Sequence, residues 1–344
     1  MAEVRDWLRE RTFHHSAFSD IAALVRAKEE RGLKISLCFP TLNEEATIAK
    51  EIILMRSELQ LRHALIDEIV VIDSGSKDRT REVAEEYGAK FYLADDILPG
   101  IEPFKGKGEN LWKALYVLEG DIILYIDADI KNIHPRFAYG LLGPLLLTEG
   151  VRFTKAFYDR PIALDQKNIK PTGGGRVTEL VTRPLFSIFY PELSQFIQPL
   201  SGEYAGFRDC FDSISFPIGY GIETSMLMDL YERYGMTALA QVDLDKRVHR
   251  NQSTLALGRM SFGIMQTFIA KLIQAGKADI ATALHDTMIQ YELEDGEYHK
   301  KESVIQIVER PPIVSLPEYR KKFPSRRASA CAYSSSTIIL SPEG

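Results

Sequence analysis

Two carboxylates, one residue apart, close an apolar run in the stretch DIILYIDADIKNIHP, residues 121–135. Asp127 and Asp129 follow the run IILYI, which has the composition of a buried strand. Because side chains alternate along a strand, we expect both acids to lie on the same side at its carboxyl end. Two carboxylates there can bind a divalent cation that also holds a diphosphate, and we expect that diphosphate to meet their charge. A solvated strand end is the plain alternative, because a lone D-x-D is common by chance.

Three further polar segments have types and spacing suited to chemistry: FPTLNEE at 39–45, VVIDSGSKDRT at 70–80 and FKGKGEN at 104–110. The first two follow apolar runs, so they could cradle a nucleotide, although helix capping explains the same residues. In the third, glycines on both sides of Lys107 would let the backbone and an ammonium group approach a phosphate. A solvated lysine loop is the alternative there. The chain shows neither G-x-G-x-x-G nor a P-loop signature.

These segments follow elements that alternate between strand and helix. Apolar runs at 33–42, 66–76, 89–95 and 121–129 predict strands, and 43–60, 77–88 and 109–120 have helical spacing. This alternation predicts an α/β fold with a mostly parallel, Rossmann-like sheet, which binds ligands beyond the carboxyl ends of its strands. Past residue 150 the pattern changes, with strands near 152–161 and 236–251 and helices near 177–193 and 219–235.

We therefore expect five regions along the chain. They are an N-terminal helical extension (1–32), a first half of alternating strands and helices (33–150), a second half with a different pattern (151–254), C-terminal helices (255–310) and a mobile tail rich in Pro and Ser (311–344).

Composition excludes several classes of protein. The net charge of −6 argues against general binding to nucleic acid or to an anionic membrane. No run approaches the roughly 20 apolar residues of a membrane-spanning helix, and the charged N-terminus does not resemble a signal peptide. Cys38, Cys210 and Cys331 are scattered, with neither a metal-ligand spacing nor a disulfide framework, which is typical of the cytoplasm.

Taken together, Pro40–Glu45, Asp73–Thr80 and Asp127–Asp129 resemble the GT-A fold of nucleotide-sugar glycosyltransferases. The second half narrows the resemblance. TGGGRVTELVTRPL (172–185), QPLSGEYAG (198–206), GYGIETSML (219–227) and RVHRN (247–251) resemble the retaining glucosyl-3-phosphoglycerate synthases and the similar mannosyl-3-phosphoglycerate synthases. The likeness covers roughly residues 33 to 272 and implies a homodimer. It also implies that residues 33–150 form a nucleotide-sugar-binding half and residues 151–254 an acceptor-binding half.

The resemblance implies that Asp129 and His249 bind Mg²⁺ or Mn²⁺, with Asp127 near the ribose or the ion's outer shell. His134 is nearer to the acids in sequence but matches no ligand position of the family. The residues implied for the nucleotide-sugar donor are Pro40, Thr41, Leu42, Glu44, Ser74, Lys107, Asp127, Ala128, Asp129, Leu200, Glu223 and Arg247. Of these, Asp127, Asp129, Leu200 and Glu223 would lie closest to the reaction.

The implied acceptor is 3-phosphoglycerate, which carries a phosphate and a carboxylate. Glycine N–H groups, a guanidinium and a helix N-terminus are natural sites for such anions. We therefore expect Gly174, Gly175, Arg176 and Thr178 to hold the acceptor, with help from Asn251. Glu223 would bind hydroxyls of the donor sugar, and a backbone group of Leu200 would lie close to that sugar. We do not assign Glu223 as a nucleophile, because retaining transferases of this type resemble front-face reactions.

Several alternatives remain open from the sequence. A mannosyl donor on guanosine diphosphate is the nearest, because few residues separate the two donors. A polyprenyl-phosphate sugar transferase shares the first-half motifs, but the missing membrane helix and the TGGGRVTE segment argue against it. A sugar nucleotidyltransferase would need a glycine-rich phosphate loop near its N-terminus. A nucleotide-sugar sensor would not need both a metal site and an acceptor site.

Overall fold

The computed structural model describes residues 7–159, 162–163, 169–170, 175–248, 253–306 and 308–329. Its centre is an eight-stranded sheet with the order β1-β11-β6-β9-β5-β2-β3-β4. The strands of this sheet are β1 (Thr12–His14), β2 (Ile35–Thr41), β3 (Glu68–Asp73), β4 (Lys90–Leu93), β5 (Ile122–Tyr125), β6 (Phe153–Asp159), β9 (Tyr204–Phe207) and β11 (Leu239–Lys246). All pairs are parallel except those made by β9, which is antiparallel to β5 and to β6.

The alternation of strands and helices predicted for the first half is confirmed. The helices of this half are α1 (Ile21–Glu30), α2 (Ile48–Met55), α3 (Thr80–Glu86), α4 (Lys107–Val117) and α5 (Arg136–Leu147). Successive residues of β2 point to opposite faces of the sheet: Leu37 packs in one core with α2 and α5, and Cys38 in a second core with α4. Because both faces are covered, the strands read as continuous apolar runs rather than as alternating patterns.

The second half supplies helices to the same two-sided architecture. They are α6 (Arg183–Phe189), α7 (Arg208–Asp212), α8 (Ile222–Tyr234), α9 (Thr254–Gln274) and α10 (Pro317–Lys322). Each half also contains a π-helical turn, Arg56–Arg62 in the first and Thr178–Thr182 in the second. One sheet carries strands from both sides of residue 150, so the division into two halves at that position remains an interpretation. Among the described residues, no helix combines the length and apolar character needed to cross a membrane.

The N-terminal region is not only the helical extension that we expected, because β1 extends the sheet beside β11. A polar cluster joins these two edge strands: Nε2 of His14 and Nε2 of His15 lie 3.0 and 2.8 Å from the Asp245 carboxylate. Asp245 has a positive φ of 65° next to a register irregularity in β11, which turns its side chain toward the histidines. The helical expectation failed because a three-residue strand is too short to show a period.

The C-terminal region also differs from expectation. Of the C-terminal helices expected over 255–310, α9 ends at Gln274, and β12 (Thr287–Glu294) and β13 (Glu297–Val304) form a hairpin through a tight turn at Asp295–Gly296. The short strands β7 (Ile162–Ala163) and β8 (Ile169–Lys170) pair with each other, and β10 (Phe216–Pro217) pairs with β14 (Glu309–Arg310). Alternating Ile, Tyr and Leu in β12 have the strand period of two, which the sequence reading missed.

The beginning of the expected mobile tail is folded onto the second core. Tyr319 in α10 is fully buried, and its hydroxyl donates to the Asp212 carboxylate at 2.5 Å. Nη2 of Arg326 donates to the Glu119 carbonyl oxygen. The expectation therefore fails for residues 311–329, while residues 330–344 lie outside the described part of the chain. Composition misled here, because Ile313 and Tyr319 are buried in the second core and dock a segment that is otherwise rich in Pro and Ser.

Candidate active site

The carboxyl ends of β2, β3 and β5 meet at one edge of the sheet, as their parallel pairing requires. Thr41 at the end of β2 donates from its hydroxyl to Asp73 at the end of β3, over 2.8 Å. Asp73 also accepts the backbone N–H groups of Gly75 and Ser76. These bonds close the turn after β3 and cap no helix, because α3 begins only at Thr80. They fix Thr41 and Asp73 at the ligand-binding edge.

The two loops that follow β2 and β3 are bound to each other. The Asn43 N–H donates to the Ser76 hydroxyl, and the Lys77 N–H donates to the Asn43 amide oxygen. Among the donor residues expected here, Thr41 is buried, Leu42 is 54% exposed, and Pro40, Glu44 and Ser74 are half-buried. The loops thus form a preformed rim with accessible side chains above a fixed backbone.

Asp127 and Asp129 do not belong to a strand. β5 ends at Tyr125, and the acids lie in the turn that follows. The expectation that strand alternation aims them to one side is wrong, but the turn achieves the same convergence. A single nitrogen, Nη2 of Arg247, lies 3.1 Å from Oδ2 of Asp127 and 2.7 Å from Oδ1 of Asp129.

Two side-chain cations of the chain itself meet the charge of the two acids. Nζ of Lys107 lies 2.6 Å from Oδ1 of Asp127 and 2.8 Å from Oε1 of Glu223. Burial would raise the pKa of Asp127, but Lys107 and Arg247 outweigh it and hold that pKa well below its ordinary value. The expectation of a metal-bound diphosphate left out these two cations, which partly buried carboxylates require even without a ligand.

The glycines beside Lys107 have a different use from the one expected. A Cβ on Gly108 would lie 1.8 Å from the Pro217 carbonyl oxygen, and one on Gly106 would lie 2.2 Å from the Ile218 oxygen. The Gly108 N–H also donates to Ile218 O. These glycines let the start of α4 pack against the backbone before α8, and this packing brings Lys107 to Glu223 near the N-terminus of α8.

Two buried side chains that were not predicted from the sequence, Tyr158 and Glu203, hold the guanidinium group of Arg247. Its Nη1 donates to the Tyr158 hydroxyl at 2.9 Å and lies 3.3 Å from Oε1 of Glu203. The Tyr158 hydroxyl in turn donates to Glu203, which is fully buried. Burial raises the pKa of Glu203, while Arg247 opposes that shift. A glutamate directly before a buried strand was the available signal, because an isolated charge in such a position needs a partner.

A second unpredicted acid supports the turn that carries the aspartates. Glu51 in α2 is fully buried and accepts the Ile130 N–H at 3.0 Å. The hydroxyl of Thr47 donates to the carbonyl oxygen of Ala128, at 2.6 Å. Burial raises the pKa of Glu51, and the neighbouring Asp129 and Asp127 act in the same direction. Its position within an otherwise apolar helix face, IAKEIIL, was the available signal.

The loop before β9 contacts the acids from the other side. A Cβ on Gly202 would lie 2.0 Å from Oδ2 of Asp127, so only glycine allows this approach. Leu200 is half-buried in the same loop, and its place beside the donor stays a prediction. The antiparallel strand β9 brings this loop to the edge where β5 ends.

The structure describes three of the five residues that we expect to hold the acceptor. Gly175 has a positive φ of 84° and precedes the π-helical turn Thr178–Thr182, in which Thr178 is buried; Arg176 is half-buried. Gly174, His249 and Asn251 lie outside the described residues. The acceptor assignments therefore remain predictions, as does the ligand role of His249.

The carboxylate oxygens of Asp127 and Asp129 suit a hard divalent cation. Oxygens of Asp127 and Asp129 already share one cationic atom of Arg247, which marks a point where a cation can satisfy both acids. Side-chain exposures of 22% for Asp127 and 40% for Asp129 leave both within reach of a ligand. Within the described residues, the geometric cluster suited to three metal ligands is His14, His15 and Asp245 instead, whose groups bond to one another.

A mostly parallel sheet with paired acids at its carboxyl edge defines a glycosyltransferase of the GT-A fold, and residues 36–136 match Glycosyl transferase family 2. The chain is 52% identical over 320 residues to the glucosyl-3-phosphoglycerate synthase of Petrotoga mobilis, covering 93% of this chain and 98% of that protein. This chain belongs to the glucosyl-3-phosphoglycerate synthase family.

Solved structures give the same answer for the fold. The mannosyl-3-phosphoglycerate synthase of Rubrobacter xylanophilus aligns with a TM-score of 0.82 at 38% identity, covering 90% of this chain and 97% of that one. The glucosyl-3-phosphoglycerate synthase of Mycobacterium tuberculosis, in complex with Mn²⁺, UDP-glucose and phosphoglyceric acid, aligns with a TM-score of 0.72 at 40% identity, covering 84% and 93%. The fold expected from the sequence is confirmed.

Proposed function

We propose that this glycosyltransferase moves glucose from UDP-glucose to 3-phosphoglycerate, with retention of configuration at the anomeric carbon. The observation that carries the proposal is the convergence of Lys107, Asp127, Asp129 and Glu223 at the ligand-binding edge, in a chain 52% identical to a glucosyl-3-phosphoglycerate synthase. The Mycobacterium tuberculosis relative binds UDP-glucose and phosphoglyceric acid together, which supports this choice of substrates.

The nucleotide would bind across the rim formed by the loops after β2 and β3, where Thr41, Leu42 and Ser74 lie. The diphosphate would reach Asp129 and His249 through Mg²⁺ or Mn²⁺. When bound, that ion supplies positive charge against the charge that develops on the leaving diphosphate. Because Arg247 bridges both acids, it would release part of its contact as the donor binds and remain anchored through Glu203 and Tyr158.

Glu223 would orient hydroxyls of the donor sugar rather than attack its anomeric carbon. Its Oε1 lies 2.8 Å from the Lys107 ammonium, and the residue is only 5% exposed. An ion-paired carboxylate is a weaker nucleophile, which supports a front-face reaction in which the leaving phosphate takes the acceptor's proton. The protein then contributes mainly positioning and charge stabilisation.

The acceptor would lie against the segment around Gly175. Arg176 and Thr178 offer a guanidinium and a hydroxyl, and the π-helical turn begins at Thr178. Gly174 and Asn251 complete the set that we expect from the family resemblance. A phosphate and a carboxylate on one small molecule suit a site with an arginine and several backbone N–H groups.

Mannosyl transfer from GDP-mannose is the second candidate, favoured by the TM-score of 0.82 to a mannosyl-3-phosphoglycerate synthase. A donor panel tests both: UDP-glucose, GDP-glucose, UDP-mannose and GDP-mannose, each with 3-phosphoglycerate and Mg²⁺. We expect UDP-glucose to give the highest kcat/KM and an α-linked product by NMR. A higher kcat/KM with GDP-mannose would replace the first proposal with the second, and a β-linked product would contradict retention.

We further propose that the partner of this chain is a second copy of itself, bound through the β12–β13 hairpin. The register places Ile289, Tyr291, Leu293, Tyr298 and Val304 on one face, where each is between 50 and 75% exposed. The opposite face packs on α9, where Nε2 of Gln290 donates to Leu255 O. The same face also carries Lys300 and Glu302, which pair with each other and leave no unpaired charge between the apolar side chains. A two-stranded ribbon is marginally stable alone, so this face favours pairing of two copies.

Light scattering coupled to size exclusion tests the pairing. Tyr291→Glu combined with Leu293→Glu should convert a dimer to a monomer, while His299→Glu on the opposite face of the hairpin should leave the mass unchanged. A monomeric wild-type chain would overturn this part of the proposal.

We place the protein in the cytoplasm. Cys38 and Cys210 are free, buried thiols, which suits a reducing compartment. Burial raises the pKa of Cys210 to about 12, which keeps this thiol protonated and unreactive. Fractionation of the source cells followed by immunodetection tests this assignment.

A further inference from the structure

A lysine lies buried beneath the candidate active site, and none of the expected roles uses it. Lys155 in β6 is 1% exposed, and its ammonium donates to the carbonyl oxygen of Ser201 at 2.9 Å. Nζ also lies 4.6 Å from the centroid of the Tyr204 ring. Register pairs Lys155 with Tyr204 of β9, so the lysine reaches the loop before β9 from the neighbouring strand.

Keeping an ammonium group at this depth is costly. Burial, with a smaller contribution from the charge of Lys107, lowers the pKa of Lys155 to about 7, although Glu223, Glu203 and Asp127 oppose the shift. A methionine would fill the same space without that cost. The lysine therefore has to be explained by its contacts, of which the Ser201 carbonyl is the direct one.

The loop that Lys155 holds is the one that touches the acids of the site. It runs from Gln198 to Glu203, with a turn closed by the Ser201 N–H to Gln198 O bond. The Ser201 hydroxyl donates to Ala156 O, and Gly202 lies against Asp127. Lys155 thus fixes the Ser201–Gly202 peptide. This peptide lies between Leu200 and Glu203, the residue that pairs with Arg247.

We propose that Lys155 is a positioning residue for glucosyl transfer, which holds the Gln198–Glu203 loop against Asp127 and sets the Leu200 backbone beneath the donor sugar. The inference rests on the proposed function. Without the ammonium, the Ser201 carbonyl would lose its buried donor, and the loop would relax away from Asp127 and the donor. Nucleotide binding would be retained, since the rim after β2 and β3 is fixed by its own hydrogen bonds.

The test compares Lys155→Met with Lys28→Met. Lys28 is a matched control, because it is also buried and donates to backbone carbonyls, those of Ala64 and Leu65, in a region away from the acids. For each protein we would measure kcat with UDP-glucose and 3-phosphoglycerate, the Kd of UDP with Mg²⁺ by calorimetry, and the thermal midpoint. If Lys155→Met does not fold, Lys155→Gln takes its place.

We expect Lys155→Met to lower kcat by about tenfold to a hundredfold, because displacements near 1 Å have such effects, while the Kd of UDP changes by less than about twofold. Lys28→Met should lower the thermal midpoint without this loss of kcat. The proposal is overturned if kcat of the Lys155 variant stays within about threefold of wild type, or if kcat and UDP affinity fall in parallel. An inactive wild-type enzyme would instead contradict the proposed function.

Discussion

A single methyl group at Gly202 should disable the enzyme. In Gly202→Ala the new Cβ would lie 2.0 Å from Oδ2, 2.4 Å from Cγ and 2.5 Å from Oδ1 of Asp127. Ordinary carbon–oxygen contact needs more than 3 Å, so the carboxylate or the loop must move by about 1 Å. Asp127 cannot yield freely, because Lys107 and Arg247 hold its two oxygens at 2.6 and 3.1 Å.

A displacement of about 1 Å among reacting groups can cost about a hundredfold in rate, which corresponds to about 2.7 kcal/mol of transition-state stabilisation. The assay is the initial rate of UDP release from UDP-glucose with 3-phosphoglycerate. Gly100→Ala is the matched control, since a Cβ there meets no atom within 4 Å and neither glycine has a positive φ. If Gly202→Ala keeps kcat/KM within about threefold of Gly100→Ala, the contact with Asp127 does not matter for catalysis.

Three further predictions concern the metal, the acceptor and pH. Asp129→Ala should lower kcat by about a hundredfold or more, and chelation should abolish wild-type activity until Mg²⁺ or Mn²⁺ is restored; activity that survives either treatment would exclude the metal role. Arg176→Ala should raise the KM for 3-phosphoglycerate about tenfold more than that for UDP-glucose, and equal effects would mean that the acceptor site is misplaced. Burial raises the pKa of Asp212 from 3.8 to about 6 in the folded state. The folded state therefore binds this proton more tightly than the unfolded state does, and stability is lost as the pH rises from about 4 through about 6. The free energy of unfolding in urea should fall by roughly 1 to 2 kcal/mol from about pH 5 to about pH 7.5 through this group, a component that Asp212→Asn should remove. Identical pH slopes in the two proteins would contradict the assignment.

The sequence predicted the first half of the fold well, because its signals are local. Apolar runs of strand length, each followed by a polar turn and a helical period, were enough to place β2, β3 and β5 and the helices between them. Parallel strands share a carboxyl edge, so Thr41, Asp73 and Asp127 could be assigned to one side of the sheet. The aspartates were predicted as a pair, although the turn rather than a strand orients them.

Partners that come from distant parts of the chain could not be predicted in the same way. Arg247 follows Asp127 by 120 residues and reaches it only because β11 and β6 bring it to the same edge. Lys155 and Glu203 appear in the sequence as isolated charges near apolar runs, and nothing local says which group each one meets. The β12–β13 hairpin was read as helix, because its period of two was overlooked beside the long helix that precedes it.

By itself, the sequence determined the order of elements from residue 33 to residue 150 and the chemical types at the carboxyl ends of those strands, because hydrophobic period and turn residues act over a few neighbours. Only the tertiary structure decided what Asp127 and Asp129 face. Their charge is met by Lys107 from the start of α4 and by Arg247 after β11, with Gly202 close enough to exclude any side chain. Burial makes these long-range pairings obligatory, since a carboxylate removed from water must find a cation wherever the fold supplies one.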